Sequence, residues 1–247
     1  MPDDERRREE QRRRDVVAPV LEPLLYATSE LQSRVHNLVA GGLAEALDHG
    51  SEWDRRAITE YTCFVFAQYF GWVEALRRSV LLRETTAEAS ASRLSLGDVP
   101  NDGQLTITLI TREINDALRV NSTSRDFMLY SGEQHAIGAA MFRWEDLGDR
   151  RAPSVARFDE FTERYRAGGS FREWFAGIET GLEMLRNSSS TARLCQVQGL
   201  LVLLMDQLDP GHLVFKKRET LIPRAELHAL FDTPRTPAVV SNVPILN

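Results

Sequence analysis

The stretch YTCFVFAQYFGWVEALRR, residues 61–78, decides the fold. Its apolar side chains, among them Tyr61, Phe64, Val65, Tyr69, Trp72, Val73 and Leu76, cover nearly the whole circumference of a helix rather than one stripe. Such a helix is stable in water only when other helices surround it, so this one is expected at the centre of the fold. Its longest apolar run, residues 63–73, is interrupted by Gln68 and reaches about half of the ~20 residues that a membrane-spanning helix needs. Gln68 itself requires a hydrogen-bond partner if it is buried. Ser51 with Asp54 supplies the start signal, and the helix is read over residues 52–83.

Upstream, Val17, Leu21, Leu24, Leu31, Val35, Leu38 and Leu43 recur at spacings that only an α-helix places on one face. Pro19 and Pro23 are expected to delay the regular helix to about Leu24, and Gly41 with Gly42 to bend or loosen its far end. Downstream, residues 84–104 read as a long exposed loop carrying Gly97, Pro100 and Gly103. Residues 105–120 mix two periods: Leu105, Ile107 and Leu109 alternate like a strand, whereas Leu109, Ile110, Ile114 and Leu118 recur like a helix, and the length favours helix. Residues 127–130 fit a short strand. Ser131 with Gln134 forms a capping box for a helix to about Phe142, and Ser170 with Glu173 another for a helix bearing Trp174, Phe175, Ile178, Leu182 and Leu185. Between them, Val155, Phe158, Phe161 and Tyr165 predict a helix over residues 154–167, closed by Gly168 and Gly169. Residues 191–208 form a strongly apolar helix stopped by Pro210, and Pro223 opens a last short helix through Phe231.

These elements give about seven helices without a repeat period. The fold class is mainly α, an irregular multi-helix assembly around a central buried helix, with room for one short β-ribbon. Residues 1–16 read as a charged flexible arm, 17–231 as a single helical domain, and 232–247 as an extended tail with Pro234, Pro237 and Pro244.

The chain has 247 residues, 43% hydrophobic and 27% charged, the composition of an ordinary globular protein rather than a disordered or collagen-like one. Its formal net charge of −6 argues against holding nucleic-acid backbones as a main task, so no nucleic acid is expected, although local basic patches remain compatible with it. Of 30 basic residues only Lys216 and Lys217 are lysines, and the arginine excess suits salt-bridged helix surfaces. Cys63 and Cys195 each lie in an apolar helix with no second cysteine at ligand or redox spacing, as for buried thiols in a reducing cytoplasm. The run from Asp3 to Asp15 balances six acidic against six basic residues. It resembles neither a secretory signal nor an amphipathic membrane anchor. The expected localisation is cytoplasmic, with no transmembrane segment.

Four residues are candidates for ligand binding: Arg34, Asn37, Glu133 and His135. Arg34 and Asn37 share a helix face, while His36 points elsewhere. Glu133 and His135 stand at the start of a capped helix, where free backbone N–H groups attract anions and an imidazole can carry a proton. Capping explains Glu133 and Gln134 more simply. The five histidines are dispersed and form no ligand pair, so no metal and no cofactor is expected; GxGxxG, GxxxxGK[ST] and GxSxG are all absent. Trp53, Tyr61, Phe64, Tyr69, Phe70 and Trp72 read as core packing before they read as a ligand cavity.

The blocks at residues 31–37 (LQSRVHN), 61–78 and 131–138 (SGEQHAIG) resemble an uncharacterised family of bacterial helical proteins, over roughly residues 24–215. That resemblance implies a helical body and no particular activity. The functional expectation is a non-catalytic intracellular interaction or regulatory protein, with an unknown protein partner and homo-oligomerisation open. The alternative is an enzyme or small-molecule binder with a pocket near Arg34, Glu133 and His135.

Overall fold

The computed structural model describes residues 3–84, 107–119, 127–146, 148, 151–185 and 191–232. The chain is mainly helical: α1 (Asp3–Val39), α2 (Leu43–His49), α3 (Glu52–Glu84), α4 (Ile107–Arg119), α5 (Ser131–Met141), a ribbon of β1 (Phe142–Asp146) and β2 (Arg151–Val155), then α6 (Phe158–Ala167), α7 (Ser170–Glu173), α8 (Ala176–Leu185), α9 (Ala192–Leu208) and α10 (Arg224–Asp232). Of the loop expected over residues 84–104, Glu84 closes α3 and the rest, like the tail after 232, falls outside the described residues.

The apolar circumference of α3 is met from every side. Thr62 through Ala67 are six consecutive buried residues, and α3 touches α1, α2, α5, α6, α8 and both strands. Its start is fixed locally: the Ser51 N–H and hydroxyl both donate to the Asp54 carboxylate (2.9 and 2.6 Å), and the Asp54 N–H returns a bond to Ser51 Oγ at 3.2 Å. α1 bridges the two halves of the core by packing on both α3 and α9, while α4 leans on α9. Close approach of α5 to α3 depends on Gly138, where a Cβ would come within 2.8 Å of the Phe70 carbonyl oxygen.

Several elements differ from the sequence reading. α1 runs straight through Pro19 and Pro23 instead of starting near Leu24. Each proline removes one N–H bond, but the two stand four residues apart, so both defects fall on one face, where Pro19 is exposed and water can take the freed carbonyls. Val20, Leu24, Leu31 and Val35 are fully buried and hold the helix in place. Gly42, at φ 78°, ends the first helix outright, so Leu43 opens α2. The second capped helix is split at Trp174 and Phe175 into α7 and α8.

Residues 127–130 are not a strand. Phe127, Met128 and Leu129 are buried, with Phe127 at φ 51° and the Leu129 N–H bonded to Leu118 O at 2.9 Å. The ribbon lies instead at Phe142–Asp146 and Arg151–Val155, paired antiparallel with Phe142 opposite Val155. Strand β2 thus takes Ser154 and Val155 from the helix expected there. Pro153 is tolerated because a two-stranded ribbon has only edges.

After α9 the chain is irregular until α10, and side chains of α9 and of its cap hold it. Gln198, fully buried, donates to Glu219 O (3.0 Å) and accepts from the Leu221 N–H (2.9 Å). The Asp209 carboxylate accepts the N–H groups of Leu213, Val214 and Phe215 at 2.8, 2.9 and 3.0 Å. The bond from Phe215 first, then those from Leu213 and Val214, hold the Asp209 carboxyl below its ordinary 3.8.

A carboxyl depressed in the folded state adds stability above its unfolded pKa and loses it as pH falls through the folded value. Asp209→Asn is therefore expected to lower the urea midpoint at about pH 7 and to lower it less at about pH 3, below the unfolded value. An equal deficit at both pH values would contradict this role.

Candidate functional site

A recess with a mainly apolar surface lies where α4 stands off from α3. Phe70, Val73 and Leu76 of α3 form its apolar wall; Thr108, Thr111, Arg112 and Asn115 of α4 face them, and Gln134 and His135 of α5 close one end. The volume is about 260 Å³, just under the range of small-molecule sites. α4 is amphipathic enough to leave this gap: Ile110, Ile114, Ala117 and Leu118 are buried, while Thr108 and Arg112 stay exposed.

Two polar features mark the recess. The buried Asn115 Oδ1 has no hydrogen-bond partner among the described residues, an acceptor that costs free energy while unfilled. On the opposite wall, Glu74 is buried and held by Arg77 (two bonds of 2.7 Å) and Arg78 (2.6 Å). Burial opposes its ionisation, but the bonds from Arg77 and Arg78 outweigh that and keep its carboxyl below the usual value. Its charge is thus spent within α3; across the rim stand His135 and Arg112, the latter with its guanidinium 3.9 Å from the Glu113 carboxylate.

Of the four candidates from the sequence, only His135 lines this recess. Glu133 accepts the Tyr130 N–H at 2.8 Å and caps α5. The cap is therefore Tyr130 with Glu133, one residue earlier than the Ser131–Gln134 frame. Gln134 turns inward, where its amide nitrogen donates to Asn115 O and Leu129 O, both at 2.9 Å, tying α4, the 127–130 segment and α5 together. Arg34 lies elsewhere, its guanidinium 4.6 Å from the centre of the Tyr61 ring. Tyr61 is nine residues before Phe70, about 14 Å along α3. Burial lowers the pKa of Arg34 and raises that of Tyr61. Asn37 is exposed in the last turn of α1. The structure does not bring these four residues to one place.

Asn115, Arg112 and Thr111 were not singled out by the sequence. Their spacing puts 108, 111, 112 and 115 on one helical face, but that face becomes a wall only because α4 leans on α9. The aromatic series is mostly core: Phe64, Tyr69 and Phe70 are buried, and Trp53 is exposed. Gln68 Oε1 has no partner among the described residues.

A second polar chain is structural. Cys63 Sγ lies 3.7 Å from the Tyr165 hydroxyl, which donates to Glu179, which in turn accepts from Arg172 Nε at 3.1 Å. Burial pushes the Cys63 thiol far up, so the thiol stays protonated and inert. Among the described residues no three His, Cys, Asp or Glu side chains are grouped to hold a metal ion. No described helix is long and apolar enough to cross a membrane. Comparison with protein-family models, curated proteins and solved structures finds no match.

The shifted cap frame has a measurable consequence. In urea titrations Gln134→Leu should lose about 2 kcal/mol by abandoning two inward bonds, and Glu133→Ala about 1 kcal/mol as a lost cap partner. Ser131→Ala should stay within about 0.5 kcal/mol of wild type. A Ser131→Ala loss equal to that of Glu133→Ala would restore the original frame.

Proposed function

We propose that the chain is a non-catalytic binding protein whose recognition site is the recess between α3, α4 and α5. Its ligand is a small molecule with an apolar body and an anionic end. The observation that carries this reading is the recess itself: a cavity of about 260 Å³ walled mainly by apolar surface, with cationic side chains confined to its rim. Phe70, Val73 and Leu76 take the apolar body, and Arg112 and His135 at the rim favour a negative end. The reading keeps the expectation of a non-catalytic protein and takes from the alternative the small molecule and His135.

Anilinonaphthalene sulfonate, an aromatic body with one N–H and one sulfonate, is a suitable probe. It should bind the native chain saturably with one site per chain and be displaced by decanoate. Arg112→Gln should weaken binding about tenfold, and Thr108→Trp, which fills the recess from an exposed position, should abolish it while the melting temperature holds. Probe fluorescence that does not saturate, or that is indifferent to Thr108→Trp, would remove the recess from consideration.

A further inference from the structure

The segment between α9 and α10 carries the most exposed large apolar side chain among the described residues. Leu213 is 90% exposed and Val214 48% exposed, the two lying side by side. They are not a frayed end. The Asp209 carboxylate holds the backbone N–H of both, and the Phe215 ring is seated edge-on against Tyr26 of α1 at 5.4 Å. A loop anchored in this way that still presents two adjacent aliphatic side chains to solvent forgoes the gain of burying them, which marks a contact surface.

The charges beside this tip are distinctive. Lys216 and Lys217 are the only lysines of the chain, and both are exposed. Arg218 follows, its guanidinium donating to Ser33 Oγ (2.6 Å), Ser29 Oγ (3.1 Å) and the Gln32 side-chain oxygen. These acceptors are neutral, so they orient the cation without cancelling it. With His36, these three cations surround an open cleft of about 510 Å³, where Glu219 is the one carboxylate among the lining residues. On a chain of net charge −6 this is a local reversal of sign.

The kind of cation separates the two occupants that fit an apolar tip beside positive charge. Facing carboxylates, this protein uses arginine in two-pronged pairs, as from Arg166 to Glu60 (2.9 and 2.6 Å) and from Arg77 to Glu74. An acidic protein partner calls for the same fork. Lysine, a point charge on a long flexible stem, suits a fluid and orientationally averaged array of phosphates, and its stem lies along apolar surface while its head reaches water. An aliphatic pair, a half-exposed tyrosine and flanking lysines are the chemistry of a bilayer boundary.

We infer that the 211–218 loop docks on an anionic lipid bilayer, with Leu213 and Val214 entering the boundary between headgroups and acyl chains and Lys216 and Lys217 resting on lipid phosphates. This involves a different face from the α3–α4–α5 recess and does not rest on the small-molecule reading.

The test is co-sedimentation of the full chain with vesicles of phosphatidylcholine alone and with 30% phosphatidylglycerol. Binding is expected only with the anionic lipid and should weaken at high salt. Lys216→Gln/Lys217→Gln should reduce the partition coefficient about 30-fold, and Leu213→Ser/Val214→Ser about tenfold or more. Both pairs are surface changes, so unchanged melting curves accompany the loss. No binding by the full chain, equal binding to neutral vesicles, or binding that survives either double variant overturns the inference. Retention on immobilised polyglutamate without vesicle binding also overturns it and assigns the surface to an acidic protein.

Discussion

A helix that is apolar on every side cannot be left with a wet face, and α3 is such a helix from Thr62 to Ala67. Enclosing it explains most of the architecture. α1 and α5 flank it, the base of the ribbon brings Val155 against Gly71, and α6 brings Phe158 and Phe161 to Phe64, with Phe175, at the break before α8, edge-on against Phe161. The polar groups carried into this environment need partners from the same neighbours. Glu60 takes Arg166 from α6, and Cys63 shares the Tyr165 hydroxyl. Such buried pairs add little net stability against an apolar alternative; they do select one arrangement, since sliding α6 along α3 would strand the Glu60 charge.

The enclosure is incomplete at one place, and chemistry can gather there. α4 commits its apolar stripe to α9, so toward α3 it presents Thr108, Thr111 and Asn115. Thr111 satisfies its hydroxyl on Ile107 O within its own helix, at 2.7 Å. The Asn115 side-chain oxygen can only accept, and it meets no donor among the described residues. The recess follows from one packing choice, the commitment of α4 to α9.

How much of this was legible in the sequence depends on how local the cause was. The Ser51–Asp54 cap, the span of α3, the helix ending before Pro210 and the helix after Pro223 are set by neighbours within a few residues, and they lie where the pattern puts them. Gln134 shows the opposite case. Its spacing from Ser131 satisfies the capping rule, yet the amide is drawn inward by two carbonyls, one of them nineteen residues away in sequence, and Glu133 takes over the cap. The ribbon escaped notice because RAPSV shows no apolar–polar alternation and contains a proline, while the alternation of FRWED is only five residues long. For the site, His135 is in the recess, whereas Arg34, Asn37 and Glu133 are not, because which faces converge is a matter of helix packing that no single helix encodes.

The segment from Asp209 to Pro223 shows how a long irregular stretch can still be well defined. With no ladder of its own, its backbone groups would have to turn to water. Two side chains replace the ladder: Asp209 collects three N–H groups, and Gln198 bridges Glu219 and Leu221 as a neighbouring strand would. Asp206 takes the Arg224 guanidinium at 2.7 Å at the start of α10. Gln198 and Asp206 belong to α9 and Asp209 is its cap, so the loop is tied to that one helix. An exposed leucine on a mobile loop can fold back when nothing covers it. The bond from its own N–H to Asp209 fixes the backbone of Leu213 where its side chain leaves the surface, and its exposure follows from that anchoring.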